Sequence, residues 1–198
     1  MFELGEYIGD GAYAAFFKIR GHPTLGVKVA KEISGEKAKK YLQEELKKAQ
    51  ILMQLNLPVP KYVEIIQVKV PKYFLKTLDR GIARNDPFSG LNGATNYGKI
   101  ERRKLLEQLS EPIVYGLLME YIERDLSLIS RKRLDYIYEK EKAKIEQYGI
   151  ILDDSDSSYN VLWSQSKAKL YFIDFDCWDL SKMHEPKEKA SIMEKEHV

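Results

Sequence analysis

Tyr7-Ile8-Gly9-Asp10-Gly11, Tyr13-Ala14-Ala15-Phe16-Phe17 and Leu25-Gly26-Val27-Lys28-Val29 open the chain as three short apolar runs, interrupted by Gly9-Asp10-Gly11 and Gly21-His22-Pro23. Runs of this length, broken by turn formers, predict two or three antiparallel strands. Ser34 is then a helix N-cap. Ala38, Tyr41, Leu42, Leu46, Ala49, Leu52 and Leu55 follow at three- and four-residue spacing. That spacing predicts an amphipathic helix over 34–56, ending at Asn56 ahead of Pro58.

Further along, Val63 to Val70 reads as another strand, closed by Pro71. Residues 71–112 read as an insertion: Lys72, Lys76, Arg80 and Arg84 recur every four residues, Asn85 to Gly98 is dense in turn formers, and a short polar helix runs from about Lys99 to Leu109. Pro112 to Ile122 is a buried strand, and 124–148 a Lys- and Glu-rich helix stopped by Gly149. Val161-Leu162-Trp163 and Leu170 to Ile173 flank a polar stretch and predict a hairpin, with a last charged helix over 186–198. Strands gather early and helices late, an α+β pattern in two lobes. The division expected is 1–122, holding the sheet, helix 34–56 and the insertion, and 123–198, a reduced helical part.

The 198 residues, 44% hydrophobic and 31% charged, are enough for a buried core and exclude wholesale disorder. A single cysteine, Cys177, excludes an internal disulfide and a cysteine-based zinc cluster, and His22, His184 and His197 are too scattered for a histidine metal site. No apolar stretch approaches the roughly 20 residues of a membrane helix, and the N-terminus lacks the basic start and apolar run of a signal peptide, so no membrane partner and a cytoplasmic location are expected. The net charge of +2 does not mark a nucleic-acid binder. Its distribution is uneven: residues 1–100 carry 16 basic and 10 acidic residues, and 101–198 carry 16 and 20. A basic half beside an acidic half suits a phosphate ligand on one and a metal on the other.

Specific residues sharpen this. Gly9-Asp10-Gly11 alone is what any hairpin turn requires. Lys28, 19 positions after Gly9, lies in an apolar strand, where an ammonium is costly unless it meets an anion. Phosphate would serve, with glycines letting the backbone approach it. Asp153, Asp154, Asp156 and Asn160 lie between a helix end and a strand, and Asp174 ends the apolar run Leu170 to Ile173. Acids and amides at strand ends supply the oxygen ligands Mg²⁺ prefers.

Together these parts resemble a minimal protein-kinase-like fold over residues 4–180. Gly9-x-Gly11 resembles the glycine-rich loop, with Ala14 at its third glycine. Gly26-Val27-Lys28 resembles the strand that carries the phosphate-binding lysine. Gly116 to Ile122 resembles the last strand of the first lobe and the hinge. Gly149 to Asp154 and Asn160 resemble the catalytic loop, and Ile173-Asp174-Phe175 the D-F-G motif. The departures are specific. Leu152 stands where the family has histidine. Asn160 is six positions after Asp154 instead of five, so Asp153 and Asp156 remain alternatives for the base. Asp176 replaces the last glycine of D-F-G. Lys48 falls where the family's helix glutamate is aligned, leaving Glu44 and Glu45, four and three residues earlier, as partners for Lys28. The 22 residues after Asp176 point to the compact atypical group: RIO-type kinases, the KEOPS-complex kinase and lipopolysaccharide-kinase-like proteins.

The resemblance implies ATP and Mg²⁺ as cofactors and an ATP-dependent phosphotransferase, an atypical serine/threonine protein kinase or autokinase. It implies Asp154 and Lys28 as catalytic residues, Gly9, Gly11, Lys28, Glu44 or Glu45, Glu120 and Ile122 around the nucleotide, and Asn160 and Asp174 on the metal. The acceptor is left open between a protein and a small alcohol. A nucleotide-binding pseudokinase and a small-molecule kinase are the alternatives. The basic insertion from Lys72 to Arg84 is a separate expectation for nucleic-acid or protein contact.

Overall fold

The computed structural model describes residues 1–10, 13–31, 33–71, 105, 107, 109–123, 129–152, 160–175 and 178–184. The order is β1 (Phe2–Asp10), β2 (Ala14–Ile19), β3 (His22–Ala30), α1 (Gly35–Gln54), β4 (Tyr62–Lys69), β5 (Ile113–Glu120), α2 (Arg131–Glu146), β6 (Val161–Ser164) and β7 (Lys169–Phe172). The protein is therefore α+β. It divides into two compact units, 1–50 with 61–121, and 51–60 with 122–198.

The first unit is a small five-stranded barrel in the order β1-β2-β3-β5-β4. Four pairings are antiparallel; the opening runs led one to expect β1–β2 and β2–β3, and β5 adds pairings to β3 and β4. The fifth is parallel: Phe2 and Glu3 of β1 pair with Val68 and Lys69 of β4 and close the barrel. That closure joins segments more than sixty residues apart, and no local periodicity encodes it. The β2–β3 turn sits at Arg20-Gly21, Gly21 having φ +76°, and His22-Pro23 already belongs to β3.

The period-2 alternation of the strands sends Ala15, Phe17 and Ile19 of β2 and Val27 and Val29 of β3 into the barrel, where they meet Val68, Val114 and Leu118. Each large side chain so buried contributes about 1.5–3 kcal/mol. Gly116 lies between Val114 and Leu118 on β5, and a β-carbon there would overlap Val27 Cγ2, so any larger residue would force the barrel interior to shift. The other face of β2 and β3 carries Phe16 opposite Lys28 and Lys18 opposite Gly26.

Helix α1 buries Ala38, Leu42, Glu45, Ala49 and Leu52, a stripe with 4-3-4-3 spacing. It begins after Ser34, whose carbonyl accepts the Ala38 amide, and ends within two residues of Asn56. Asn56 has φ +53°; its amide donates to Met53 O, and the Leu57 amide donates to Leu52 O at 3.0 Å. This is a Schellman closure, with Asn in the left-handed position where Gly is commoner.

In the second unit, Pro58, Val59 and Pro60 are buried, and Pro58 O accepts the Phe172 amide at 2.7 Å. This bond ties 51–60 to β7. The expected hairpin is β6–β7, registered Val161 to Phe172 and Ser164 to Lys169. Tyr138, Phe172, Phe175 and Trp178 form an aromatic cluster with ring centroids 5.5–5.7 Å apart. The helix expected over 124–148 is α2, which starts at Arg131 because the Ser130 hydroxyl accepts the Arg133 amide and caps it. Residues 124–128, most of the insertion over 71–112 and the helix expected over 186–198 lie outside the described residues. No helix among those described is long and apolar enough to cross a membrane.

Candidate functional site

In the first unit the chemistry centres on one ion pair. Lys28 projects from β3 opposite Phe16, and its Nζ donates to Glu45 Oε1 at 2.9 Å while lying 2.9 Å from Oε2. Only 1% of the Glu45 side chain is exposed, against 14% for Lys28. Burying a carboxylate this deeply requires a counter-charge, and the ammonium supplies it. A third group reaches the same oxygen: Tyr62, at the start of β4, donates its hydroxyl to Glu45 Oε1 at 3.4 Å.

The two glutamates left open by the sequence separate cleanly. Glu45 lies in the buried stripe of α1 and meets Lys28. Glu44, one position earlier, faces solvent and pairs with Lys47 at 2.8 Å. The Lys47 hydrogen bond holds the Glu44 carboxyl below the usual carboxylate range. Helical phase decides between them. Ala38, Leu42, Ala49 and Leu52 leave a gap at 45, and an acid filling that gap is the signal in the sequence that identifies the inward residue.

Gly9 pairs with Phe16 across β1–β2, and a β-carbon there would meet nothing within 4 Å. The chain's own packing does not require glycine at this position. Gly11 lies outside the described residues. At the end of β5, the Glu120 amide donates to Lys61 O at 2.8 Å, and the Glu120 carboxylate accepts the Lys61 amide at 3.2 Å. Both of these Glu120 groups are engaged with Lys61, the residue before β4. The Tyr121 amide donates to Thr24 O at 2.9 Å, and the Tyr121 ring stacks at 16° to Phe16 with centroids 6.3 Å apart. Ile122 is 5% exposed.

In the second unit, Asn160 and Asp174 stand at the open end of the β6–β7 hairpin. Asn160 O accepts the Ile173 amide at 2.9 Å, one step beyond the Val161–Phe172 pair, which brings the two backbones together. Asp174 has φ +59°, in the left-handed region, and is exposed, whereas Phe175 is completely buried. Aspartate tolerates that region better than most side chains, yet it is a strained choice compared with glycine. The strain turns the chain sharply, so that an exposed acid is followed immediately by an anchored aromatic ring.

Asp153, Asp154, Asp156, Asp176 and the basic run Lys72 to Arg84 lie outside the described residues. Among those described, no three His, Cys, Asp or Glu side chains cluster as a metal site. Sequence reasoning missed Tyr62 and the seating of Phe16 against Gly26, where a β-carbon would overlap the Phe16 ring. Both are side-chain contacts between consecutive elements that no periodicity within either element encodes. No protein-family model matches the chain, and no curated protein is significantly similar to it.

Proposed function

We propose that the chain is an ATP-dependent phosphotransferase of protein-kinase-like fold, acting as an atypical serine/threonine protein kinase or autokinase. The observation that carries this reading is the pairing of Lys28 on the third strand with a buried glutamate on the following helix. In protein kinases a lysine on that strand contacts the nucleotide phosphates and is held by a helix glutamate. A merely structural ion pair would be served by any strand. Here it falls 19 residues after Gly9, where a β-carbon would meet nothing within 4 Å.

In this reading Lys28 neutralises charge on the α- and β-phosphates, and Glu45 holds the ammonium in place. Asp154, with Asp153 and Asp156 as alternatives, orients the acceptor hydroxyl and takes its proton. The hydroxyl oxygen bonds to the γ-phosphorus as the bond to ADP breaks. Asn160 and Asp174 fit Mg²⁺: they are oxygen donors at one hairpin end, and this ion uses one or two carboxylates and completes its shell with phosphates and water. When bound, the ion neutralises phosphate charge. Positioning and charge neutralisation are most of what phosphoryl transfer asks of a protein.

The test is titration with Mg-ATP, followed by calorimetry and thermal unfolding, then transfer of radiolabelled γ-phosphate to protein, RNA and small-alcohol acceptors. A ligand that binds only the folded state must raise its stability. No heat and no thermal shift at millimolar Mg-ATP would refute the reading. Binding without transfer to any acceptor would favour the nucleotide-binding pseudokinase instead. With transfer, Asp154→Ala should abolish it and leave Mg-ATP affinity nearly unchanged, Asp153→Ala and Asp156→Ala serving as controls.

A further inference from the structure

The Lys28–Glu45 pair is not complete with two members. Tyr62 is 4% exposed, and its hydroxyl approaches the same carboxylate oxygen that accepts from Lys28, at 3.4 Å. A hydroxyl carried into a core is costly without a hydrogen-bond partner, and phenylalanine would fill the same volume without that cost. The hydroxyl therefore calls for an account.

We propose that Tyr62 is a positioning residue acting through Glu45 on Lys28, which fixes the ammonium for the phosphates of the nucleotide; this rests on the phosphotransfer reading above. The argument is geometric. Lys28 has a flexible four-carbon stem and a compact charge, so where its ammonium sits depends on how the Glu45 carboxylate is oriented. Glu45 comes from α1, and its position alone does not fix the rotation of its carboxylate. Tyr62 is far stiffer. Its ring has two rotatable bonds, its backbone pairs with Met119 of β5, and its neighbour Lys61 is clamped by two hydrogen bonds to Glu120. A donor fixed to the sheet thus holds the carboxylate from one side while Lys28 holds it from another. Helix α1 is tied in this way to β4 as well as to β3.

The length of the bond fits the role. At 3.4 Å it is long for O–H···O. When phosphates share the Lys28 ammonium, the carboxylate loses part of its counter-charge, and a neighbouring hydroxyl with room to shorten compensates. Hydrogen bonds in unliganded sites commonly tighten in this way on binding.

Tyr62→Phe removes the hydroxyl and keeps the ring. The affinities of Mg-ATP, Mg-tripolyphosphate and adenosine are measured by calorimetry in wild type, Tyr62→Phe, Glu45→Gln and the double variant, with urea unfolding of all four. Tyr62→Phe should weaken Mg-ATP and Mg-tripolyphosphate by the same factor, about fivefold, and leave adenosine unchanged. In the Glu45→Gln background it should cost less than about twofold, because the group it acts through is altered. Equal losses for adenosine and tripolyphosphate would mean general loosening and overturn the proposal. So would the same factor in both backgrounds, or additive losses in urea. Should Glu45→Gln not fold, the comparison of tripolyphosphate with adenosine still decides. Wild-type protein that binds no Mg-ATP overturns the phosphotransfer reading and, with it, the role of Tyr62 toward nucleotide; the urea cycle then reports on the contact alone, so the two failures are distinct.

Discussion

Lys28 and Glu45 share one ion pair but not one environment: the carboxylate is sealed, with 1% of its side chain exposed, while 14% of the lysine side chain reaches solvent. Removing the lysine takes a counter-charge away from a buried anion, whereas neutralising the glutamate leaves an ammonium that can turn toward water. Breaking a buried pair from one side costs about 3–5 kcal/mol. Lys28→Met should therefore cost about 3 kcal/mol and Glu45→Gln clearly less, read from urea midpoints. The reverse order would contradict the burial assigned to Glu45. Glu44→Gln should leave the midpoint unchanged, since Glu44 and Lys47 are both well solvated.

Stability and chemistry separate in a double variant. Replacing a buried ion pair by apolar residues of similar volume is often neutral or stabilising. Lys28→Met combined with Glu45→Leu should recover most of the stability lost in Lys28→Met alone. It should still lose phosphate transfer by at least about 100-fold, because the α- and β-phosphates lose the Lys28 counter-charge. Recovery of transfer along with stability would remove Lys28 from the mechanism.

How far the sequence anticipates these features depends on how local each one is. The helix expected over 34–56 is α1 at 35–54, because apolar spacing and the Asn56 stop are local signals. The β6–β7 hairpin is local for the same reason. The parallel β1–β4 closure joins Phe2 to Val68 and leaves no mark on either strand's alternation. The Glu44–Glu45 choice was open because an alignment tolerates a shift of one residue, whereas the helix does not: 100° of rotation separates solvent from the stripe of Ala38, Leu42 and Ala49. The role of Tyr62 leaves no mark in the sequence, since one tyrosine opening a strand carries no sign that its hydroxyl will meet a helix.

Glycines give a test of packing that needs no ligand. A β-carbon at Gly26 would overlap the Phe16 ring, a side chain able to move. Gly26→Ala should cost about 1–3 kcal/mol as an overpacked site, and Phe16→Leu in the same chain should relieve part of it. At Gly149, φ is +73° and the obstacle includes Lys182 O, a backbone atom. Gly149→Ala should therefore cost more than Gly21→Ala, where φ is +76° but the surroundings are open and only the backbone preference, about 1–2 kcal/mol, is lost. Urea midpoints rank the two variants, and equal losses would mean that the Lys182 carbonyl moves away freely.

Asp174 brings strain and chemistry to one residue, and three substitutions part them. Its φ of +59° is costly for alanine, tolerable for aspartate and free for glycine. Asp174→Ala should therefore destabilise by about 1 kcal/mol. Asp174→Gly should be neutral or slightly stabilising, since relief of the strained backbone offsets the greater freedom of the unfolded glycine. Asp174→Asn tolerates the backbone and keeps one oxygen donor, so its fold should match wild type. If Asp174 holds Mg²⁺, all three should cut Mg-dependent phosphate transfer by about 100-fold or more, whatever their stability. The decisive variant is Asp174→Gly, as stable as wild type yet inactive. That outcome would mean the chain keeps a strained aspartate where glycine fits better, for the sake of its carboxylate. Full transfer by folded Asp174→Gly would take the metal role away from Asp174. An Asp174→Ala as stable as wild type would show that the left-handed turn carries no strain.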